Sequence, residues 1–199
     1  MFIVFEGING SGKTKHVHAF ISYLKKVGKK VKLYEYPDKA GIFGKPIKNF
    51  LNKDIELSSE SQFLLFLADI MKDQDYIKKD LEKGYWVIAD RYVLTTIAFQ
   101  RINYTKAKEL INTIGVIKPD YIVYLSISPD IAIERMKGKK RYTRFEKDEE
   151  FLLKANLRYK ELASEGYLSK WITLETVKPF EEVRQELVKK ILNHRDQNH

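Results

Sequence analysis

The 199-residue chain contains no cysteine, which removes disulfide scaffolds, thiol nucleophiles and thiolate metal ligands together. Long hydrophobic runs are missing as well. The first apolar stretch, Phe2–Phe5, is too short for the core of a secretory signal. Nothing approaches the ~20 apolar residues that span a bilayer. These absences predict a soluble, cytoplasmic protein with no membrane partner. Histidines number four, and two of them, His194 and His199, sit in the polar tail NHRDQNH, which is expected to fray. No His or carboxylate spacing suggests zinc. With five prolines, no linker and no internal repeat, residues 1–199 read as one domain with a full core.

The charge balance is not neutral. A net charge of +9 invites a nucleic-acid reading. The lysines, however, are spread along helical patterns and interleaved with glutamates. The densest basic stretch, Lys137–Arg144 (KGKKRYTR), suits a few phosphate oxygens better than a duplex track. No nucleic-acid partner is expected.

What the chain does have begins at its fifth residue. FEGINGSGKT carries the spacing G-x-x-x-x-G-K-[ST] from Gly7 to Thr14. The pattern has meaning only between a strand and a helix. Phe2–Phe5 suits a buried parallel strand. Val17, Phe20, Ile21, Leu24 and Val27 follow helical spacing, and Gly28 stands where a helix-ending glycine belongs. Glycines let successive backbone N–H groups of Gly7, Ile8, Asn9, Gly10, Ser11 and Gly12 face one anion, and the following helix adds its positive end. Lys13 would reach the outer phosphates and the Thr14 hydroxyl would ligate Mg²⁺. The stretch therefore predicts a nucleoside triphosphate with magnesium, with Lys13 at the surface of its loop.

Five strands are predicted at Phe2–Phe5, Val31–Glu35, Trp86–Ala89, Tyr121–Leu125 and Trp171–Leu174, separated by helical patterns. That alternation is the signature of an α/β fold: a five-stranded parallel sheet with helices on both faces, three layers in all. Ser59 with Gln62 reads as a capping box opening Phe63–Met71. That helix is apolar nearly all round, so it is expected to be buried on two sides, one of them facing a partner subunit. Ser128-Pro129 opens a helix through Met136. Phe151, Leu152, Ala155, Tyr159 and Leu162 mark another, and Phe180, Val183, Leu187 and Ile191 mark the last. Ligands of such sheets lie beyond the carboxyl ends of the strands. Tyr36-Pro37-Asp38-Lys39, Asp90-Arg91-Tyr92 and the helix leading into the basic stretch should converge there with the glycine loop.

Three classes use this loop. A GTPase switch should carry Asn-Lys-x-Asp, and Asn52-Lys53-Asp54 lacks the spacer. A motor or helicase ATPase would usually place a glutamate beside the strand-end Asp90. Arg91 stands there, and an arginine cannot act as a base. It can hold the phosphate of an acceptor bidentately, which points to a small-molecule kinase. A P-loop ATPase acting on nucleic acid is the competing class.

At these residues the chain resembles the thymidylate kinase family over nearly its whole length. FEGINGSGKT is similar to the family's phosphate loop, and DRYVLTTIAFQ resembles its most diagnostic signature. LLFLAD resembles the helix carrying a thymine-stacking phenylalanine, and RFEKDEEFLLKANLRYKELA resembles the lid and its following helix. Deoxynucleoside kinases fit less well at Glu6-Gly7-Ile8-Asn9 and Asp90-Arg91-Tyr92. The resemblance implies a P-loop kinase fold with a short lid at about 136–148, acting as a homodimer that uses ATP and Mg²⁺ to convert dTMP to dTDP. It implies that Phe66 stacks on thymine, Arg91 clamps the acceptor phosphate and Asp90 positions Mg²⁺ with Thr14. Phe99 would crowd the sugar 2′ position. Pro37, Thr95, Thr96 and Gln100 would complete the acceptor site, and Arg135 would lie along the adenine. Gly10 stands where some members carry an arginine, so Arg141 and Arg144 would bring the catalytic cation from the lid. Three positions depart from the pattern. Asn9 replaces an acidic residue at the sugar 3′-hydroxyl, Lys39 an arginine at the acceptor phosphate, and Ile70 an arginine that donates to thymine. With Ile70 unable to donate or accept, base selection is expected to be looser than usual for the family.

Overall fold

A computed structural model describes residues 1–138, 142–145 and 148–196, the last four by backbone alone. Five strands form one parallel sheet in the order β2-β3-β1-β4-β5: β1 (Phe2–Glu6), β2 (Val31–Glu35), β3 (Trp86–Asp90), β4 (Tyr121–Ser126) and β5 (Lys170–Glu175). Every predicted strand is present, most with one more residue at the carboxyl end. That extra residue puts Glu6 and Asp90 inside the sheet. Phe5 pairs with Asp90 across β1 and β3, and Glu6 with Tyr124 across β1 and β4.

Strand residues alternate faces. Ile3 and Phe5 join α1 (Lys13–Lys26) and α9 (Phe180–Asp196) through Val17, Phe20, Leu24, Val183, Leu187 and Ile191. Phe2 and Val4 face the opposite layer, which holds α3 (Ser59–Met71), α4 (Gln74–Glu82), α5 (Val93–Phe99), α6 (Tyr104–Ile114), α7 (Pro129–Met136) and α8 (Glu149–Ser164). A short α2 (Gly44–Leu51) packs Ile47 and Phe50 against Phe66 of α3 in a separate small cluster. The helix after β1 covers one face and the segment after β3 the other. The chain therefore parts at the carboxyl ends of these two central strands, where a cleft can open.

Local chemistry explains the ends of the elements. Gly28 stands in the left-handed region (φ +77°), its N–H donates to Lys25 O at 3.0 Å and Lys29 N–H to Leu24 O at 2.9 Å. This double bond pattern closes α1 and returns the chain to β2. The cap of α3 is Ser58 rather than Ser59: its Oγ accepts from Ser61 N at 3.1 Å, because Ser58 is the residue with extended backbone. Gln62 instead donates to Leu57 O at 2.7 Å. The two-sided burial of α3 is not reached within one chain, since Leu64 is 53% exposed. The backbone of α9 continues to Asp196, so the tail begins as helix rather than frayed chain; His199 lies outside the described residues. Among the described residues no helix is long and apolar enough to cross a membrane.

Candidate active site

The glycine loop leaves β1 and closes on α1 through a Ser11 N–H to Ile8 O bond at 3.3 Å. Gly10 has φ +83°, and a Cβ there would lie 2.3 Å from the Ala132 carbonyl of α7. The loop is thus seated on α7, and position 10 has no room for a side chain. Beyond it opens a cleft of about 800 Å³, lined by Ile8, Asn9, Gly10, Ser11, Gly12, Lys13 and Thr14. Pro37, Lys39, Asp90 and Arg91 line it from the ends of β2 and β3, and Arg135 from α7. Gly7 lies one residue behind and gives its carbonyl to Arg91.

Lys13 does not stand at the loop surface as the motif suggested. It is 7% exposed and its Nζ forms an ion pair with Asp90 Oδ1. Thr14 Oγ1 donates to Asp90 Oδ2 at 3.1 Å. The last residue of β3 is thereby joined to the first turn of α1. Burial, together with the nearby Arg91 charge, lowers the Lys13 pKa to about 8 against the attraction of Asp90.

Arg91 holds the centre. Its φ is +73°, a left-handed conformation that costs an ordinary residue about 1–3 kcal/mol. Its backbone N–H donates to Phe5 O at 2.9 Å. The guanidinium donates to Gly7 O at 2.9 Å, to Asn9 Oδ1 at 2.6 Å and to Thr95 Oγ1 at 3.3 Å, and lies 5.2 Å over the Phe99 ring. Asn9, which the pattern placed at a sugar hydroxyl, is a direct partner of this arginine.

A second cavity of about 160 Å³ adjoins the cleft, and Asn9, Pro37, Lys39 and Arg91 line both. Its far walls are Phe66, Thr95, Phe99 and Gln100, with Thr143 and Phe145 closing it. Phe50 meets Phe66 edge-on at 6.1 Å, and Phe145 stacks on Phe151 at 4.7 Å. Gln100 is buried, and its Oε1 has no partner among the described residues.

Three expected site residues are not brought here. Ile70 is 2% exposed and belongs to the main core with Phe63 and Leu67, because it lies one helical turn beyond Phe66, past the end of the cavity that Phe66 lines. Thr96 is buried on the inner side of α5. Arg144 is held away from the cleft. It donates to both Glu56 carboxylate oxygens at 2.8 Å, to Phe50 O at 2.9 Å and to Ile55 O at 3.0 Å, and covers the Phe50 ring at 4.4 Å. The last turn of α2 and the α2–α3 connection thus take four of its N–H donors. Arg141 lies outside the described residues. Arg135 does reach the cleft, donating to Thr176 O at 2.6 Å.

The spacing motifs missed Glu6, Arg158 and Tyr159. Glu6 is fully buried at the end of β1, and burial raises its pKa despite bonds from Thr95 and Tyr159 and the charge of Arg91. Arg158 caps the other end of α5, donating to Ile97 O and Gln100 O at 2.8 Å each. Tyr159 reads in sequence as one more core position of α8. The signals for Glu6 were a carboxylate ending an apolar strand and its place at the head of the segment that resembles the family's phosphate loop, and neither pointed to α5.

The donor set suits a hard divalent cation. Thr14 and Asp90 offer a hydroxyl and a carboxylate side by side, and Ser11 Oγ is buried without a partner among the described residues. Among those residues no group of three His, Asp or Glu side chains could hold a metal alone. A cation held here would need further oxygen ligands, which water and a bound phosphate could supply.

The chain matches the thymidylate kinase family over residues 5–187. It is 32% identical over 193 residues to the thymidylate kinase of Plasmodium falciparum, covering 96% of this chain and 89% of that one. It is 34% identical over 194 residues to the probable thymidylate kinase of Archaeoglobus fulgidus, covering 96% and 94%. The structure superposes on the thymidylate kinase of Candida albicans with a TM-score of 0.81 at 23% identity, over 98% of this chain and 92% of that one.

Proposed function

This chain belongs to the thymidylate kinase family, and from that premise we propose how its own residues carry out the reaction. The enzyme transfers the terminal phosphoryl group of ATP to dTMP, giving dTDP and ADP. One observation carries the assignment of sites: Asn9, Pro37, Lys39 and Arg91 line both the loop cleft and the aromatic cavity. A phosphate passing between the two lies against two cations.

The triphosphate occupies the glycine loop, with Lys13 released from Asp90 onto its outer phosphates. Thymine enters between Phe66 and the Phe99 side of the small cavity, where the unpartnered Gln100 Oε1 offers an acceptor to a base N–H. The acceptor phosphate meets Arg91 and Lys39. Phosphoryl transfer requires alignment and neutralisation of the moving charge more than covalent help from the protein. Thr14 and Asp90 hold Mg²⁺, which neutralises charge on the phosphate oxygens when bound. Thr143 and Phe145 shield the acceptor from water. With Ile70 in the core, its lack of a polar group does not bear on base selection, and Gln100 carries the base contact.

The reading takes 1–199 as one kinase domain in the cytoplasm, with a lid at about 136–148. Residues 139–141 and 146–147 of that lid lie outside the described ones. It takes the protein as a homodimer, which would cover the exposed Leu64 of α3. The test is a coupled assay with ATP and Mg²⁺ against dTMP, dUMP, dCMP, dGMP, DNA and RNA. ADP release that depends on dTMP is expected. ADP release stimulated by nucleic acid and indifferent to monophosphates would overturn it.

A further inference from the structure

We propose that Glu6 is a positioning residue for the acceptor-phosphate grip, acting by capping α5 from the neighbouring strand and orienting Thr95 beneath Arg91. The proposal rests on the kinase reading above. The helix α5 needs outside help. Its cap residue, Tyr92, carries no side-chain acceptor for the first-turn amides, and the helix has only seven residues. Glu6 supplies the acceptor from β1. Its Oε1 accepts from Tyr92 N at 2.8 Å and, at 3.3 Å, shares the Thr95 N–H with Tyr92 O, which accepts the same N–H at 3.0 Å. These are the two amides that an ordinary capping box satisfies from within the helix itself.

The other oxygen works on side chains. Thr95 Oγ1 donates to Glu6 Oε2 at 2.5 Å, and Tyr159 of α8 donates to the same oxygen at 2.8 Å. A hydroxyl that has spent its one proton on a carboxylate presents lone pairs elsewhere. Those of Thr95 face the Arg91 guanidinium at 3.3 Å. Glu6 thus fixes both ends of Arg91: the left-handed backbone, by holding the next residue's amide, and the guanidinium, through Thr95. Its four contacts use both oxygens, and it lines neither cavity. It is therefore not a base and does not touch the substrate. Tyr159 is held in turn, stacked on Tyr124 at 5.4 Å, with Tyr124 donating to buried Asn156 at 2.5 Å.

This assignment also changes the role of Thr95. A hydroxyl committed to Glu6 and Arg91 is part of the grip's support and not a reader of the base.

The test uses the full chain and the variants Glu6→Gln, Thr95→Val, Thr95→Ser, Tyr159→Phe and the double Glu6→Gln/Thr95→Val. KM for dTMP and for ATP and kcat are measured, with amide hydrogen exchange at Tyr92 and Thr95 in parallel. Glu6→Gln and Thr95→Val are each expected to raise the dTMP KM roughly 10-fold or more while moving the ATP KM less than about 2-fold. The double variant is expected to be no worse than the worse single, because the two act through one unit. Thr95→Ser, which keeps the hydroxyl, is expected to restore the wild-type value, and Tyr159→Phe to show a smaller rise. Exchange at the two amides, Tyr92 above all, is expected to quicken modestly in Glu6→Gln, whose neutral amide oxygen is a weaker acceptor than the carboxylate, while the rest of β1 stays protected. A folded Glu6→Gln enzyme with wild-type dTMP KM and unchanged exchange overturns the proposal. So does an equal rise for both substrates that tracks a general loss of melting temperature. A wild type that releases no ADP with dTMP overturns the kinase reading instead, and the exchange data still decide whether Glu6 anchors α5.

Discussion

Two parts of this molecule fix charged side chains beside a ligand-sized space, and they do it differently. At the ends of β1 and β3, Glu6, Lys13, Asp90 and Arg91 are buried or half-buried and fixed by the backbone of a five-stranded sheet. At the corner between α2, α3 and residues 142–145, Arg144 is held by Glu56, which is 77% exposed, and by carbonyls of a loop. The first arrangement places charges where little water competes with them, so each contact is strong and its loss leaves a buried partner unpaired. The second is a clasp at the surface, where water replaces the exposed Glu56 carboxylate at small cost. Chemistry belongs at the sheet edge, while the corner shapes the wall of the acceptor cavity.

The sharpest way to break that comparison is Lys13→Ala. Turnover is expected to fall by ~10³-fold or more with the far-ultraviolet circular dichroism unchanged, because the cation on the transferring phosphate is gone while the sheet is not. Near-normal turnover by a folded variant would remove the sheet edge from the mechanism.

Next comes Ile70→Arg. The residue is packed among Phe63, Leu67 and Tyr92 in the main core. A guanidinium there is expected to cost about 3 kcal/mol or more of folding stability in a denaturant titration, with no partner to offset its burial. The dTMP over dCMP ratio of kcat/KM should not change in the protein that remains folded. A stable variant with altered base preference would place position 70 at the cavity.

A smaller effect follows from pH. Lys13 has its pKa lowered to about 8, so the free enzyme loses that charge as pH rises through 8, whereas the bound triphosphate requires it. ATP affinity measured by calorimetry is expected to weaken by up to ~10-fold per unit above that point. The sign for folding is opposite. A lysine depressed in the folded state leaves the unfolded chain binding more protons, so its contribution to stability rises as pH climbs from about 8 toward lysine's ordinary 10.5. Lys13→Arg should flatten the ATP profile, since arginine keeps its charge.

The smallest effect separates clasp from catalyst. Arg144→Ala and Glu56→Ala are expected to raise the dTMP KM by similar factors, roughly 3- to 10-fold, with kcat nearly unchanged. If Arg144→Ala alone collapses kcat while Glu56→Ala is silent, Arg144 leaves its clasp to act on the phosphoryl group.

How much of this was legible beforehand depended on distance along the chain. The loop from Gly7 to Thr14 and the stretch from Asp90 to Gln100 each carry their chemistry within about a dozen residues, and the apolar runs before them placed the ends of β1 and β3 to within one residue. Leu64 and Ile70 were harder. In a helix apolar nearly all round, composition cannot say which side meets the sheet, and a shift of one residue turns a side chain by 100°. Arg144 was placed by motif likeness alone, and nothing near it in sequence announces Glu56 or the carbonyls that hold it. Glu6 stood beside the motif, yet its partners at 92, 95 and 159 come from two other elements.

The sequence by itself determined the parallel sheet, the phosphate loop and the presence of a cation after β3. These follow from local periodicity and from residue types whose backbone demands are fixed, such as glycine at positive φ. Only the tertiary structure decided that Lys13 rests on Asp90, that Asn9 pairs with Arg91, that Ile70 is core and that Arg144 is a clasp. Each of those turns on which long side chain finds a partner across the fold. Flexible side chains are directed by burial and by acceptors many residues away, and a pattern of neighbours in sequence does not encode that choice.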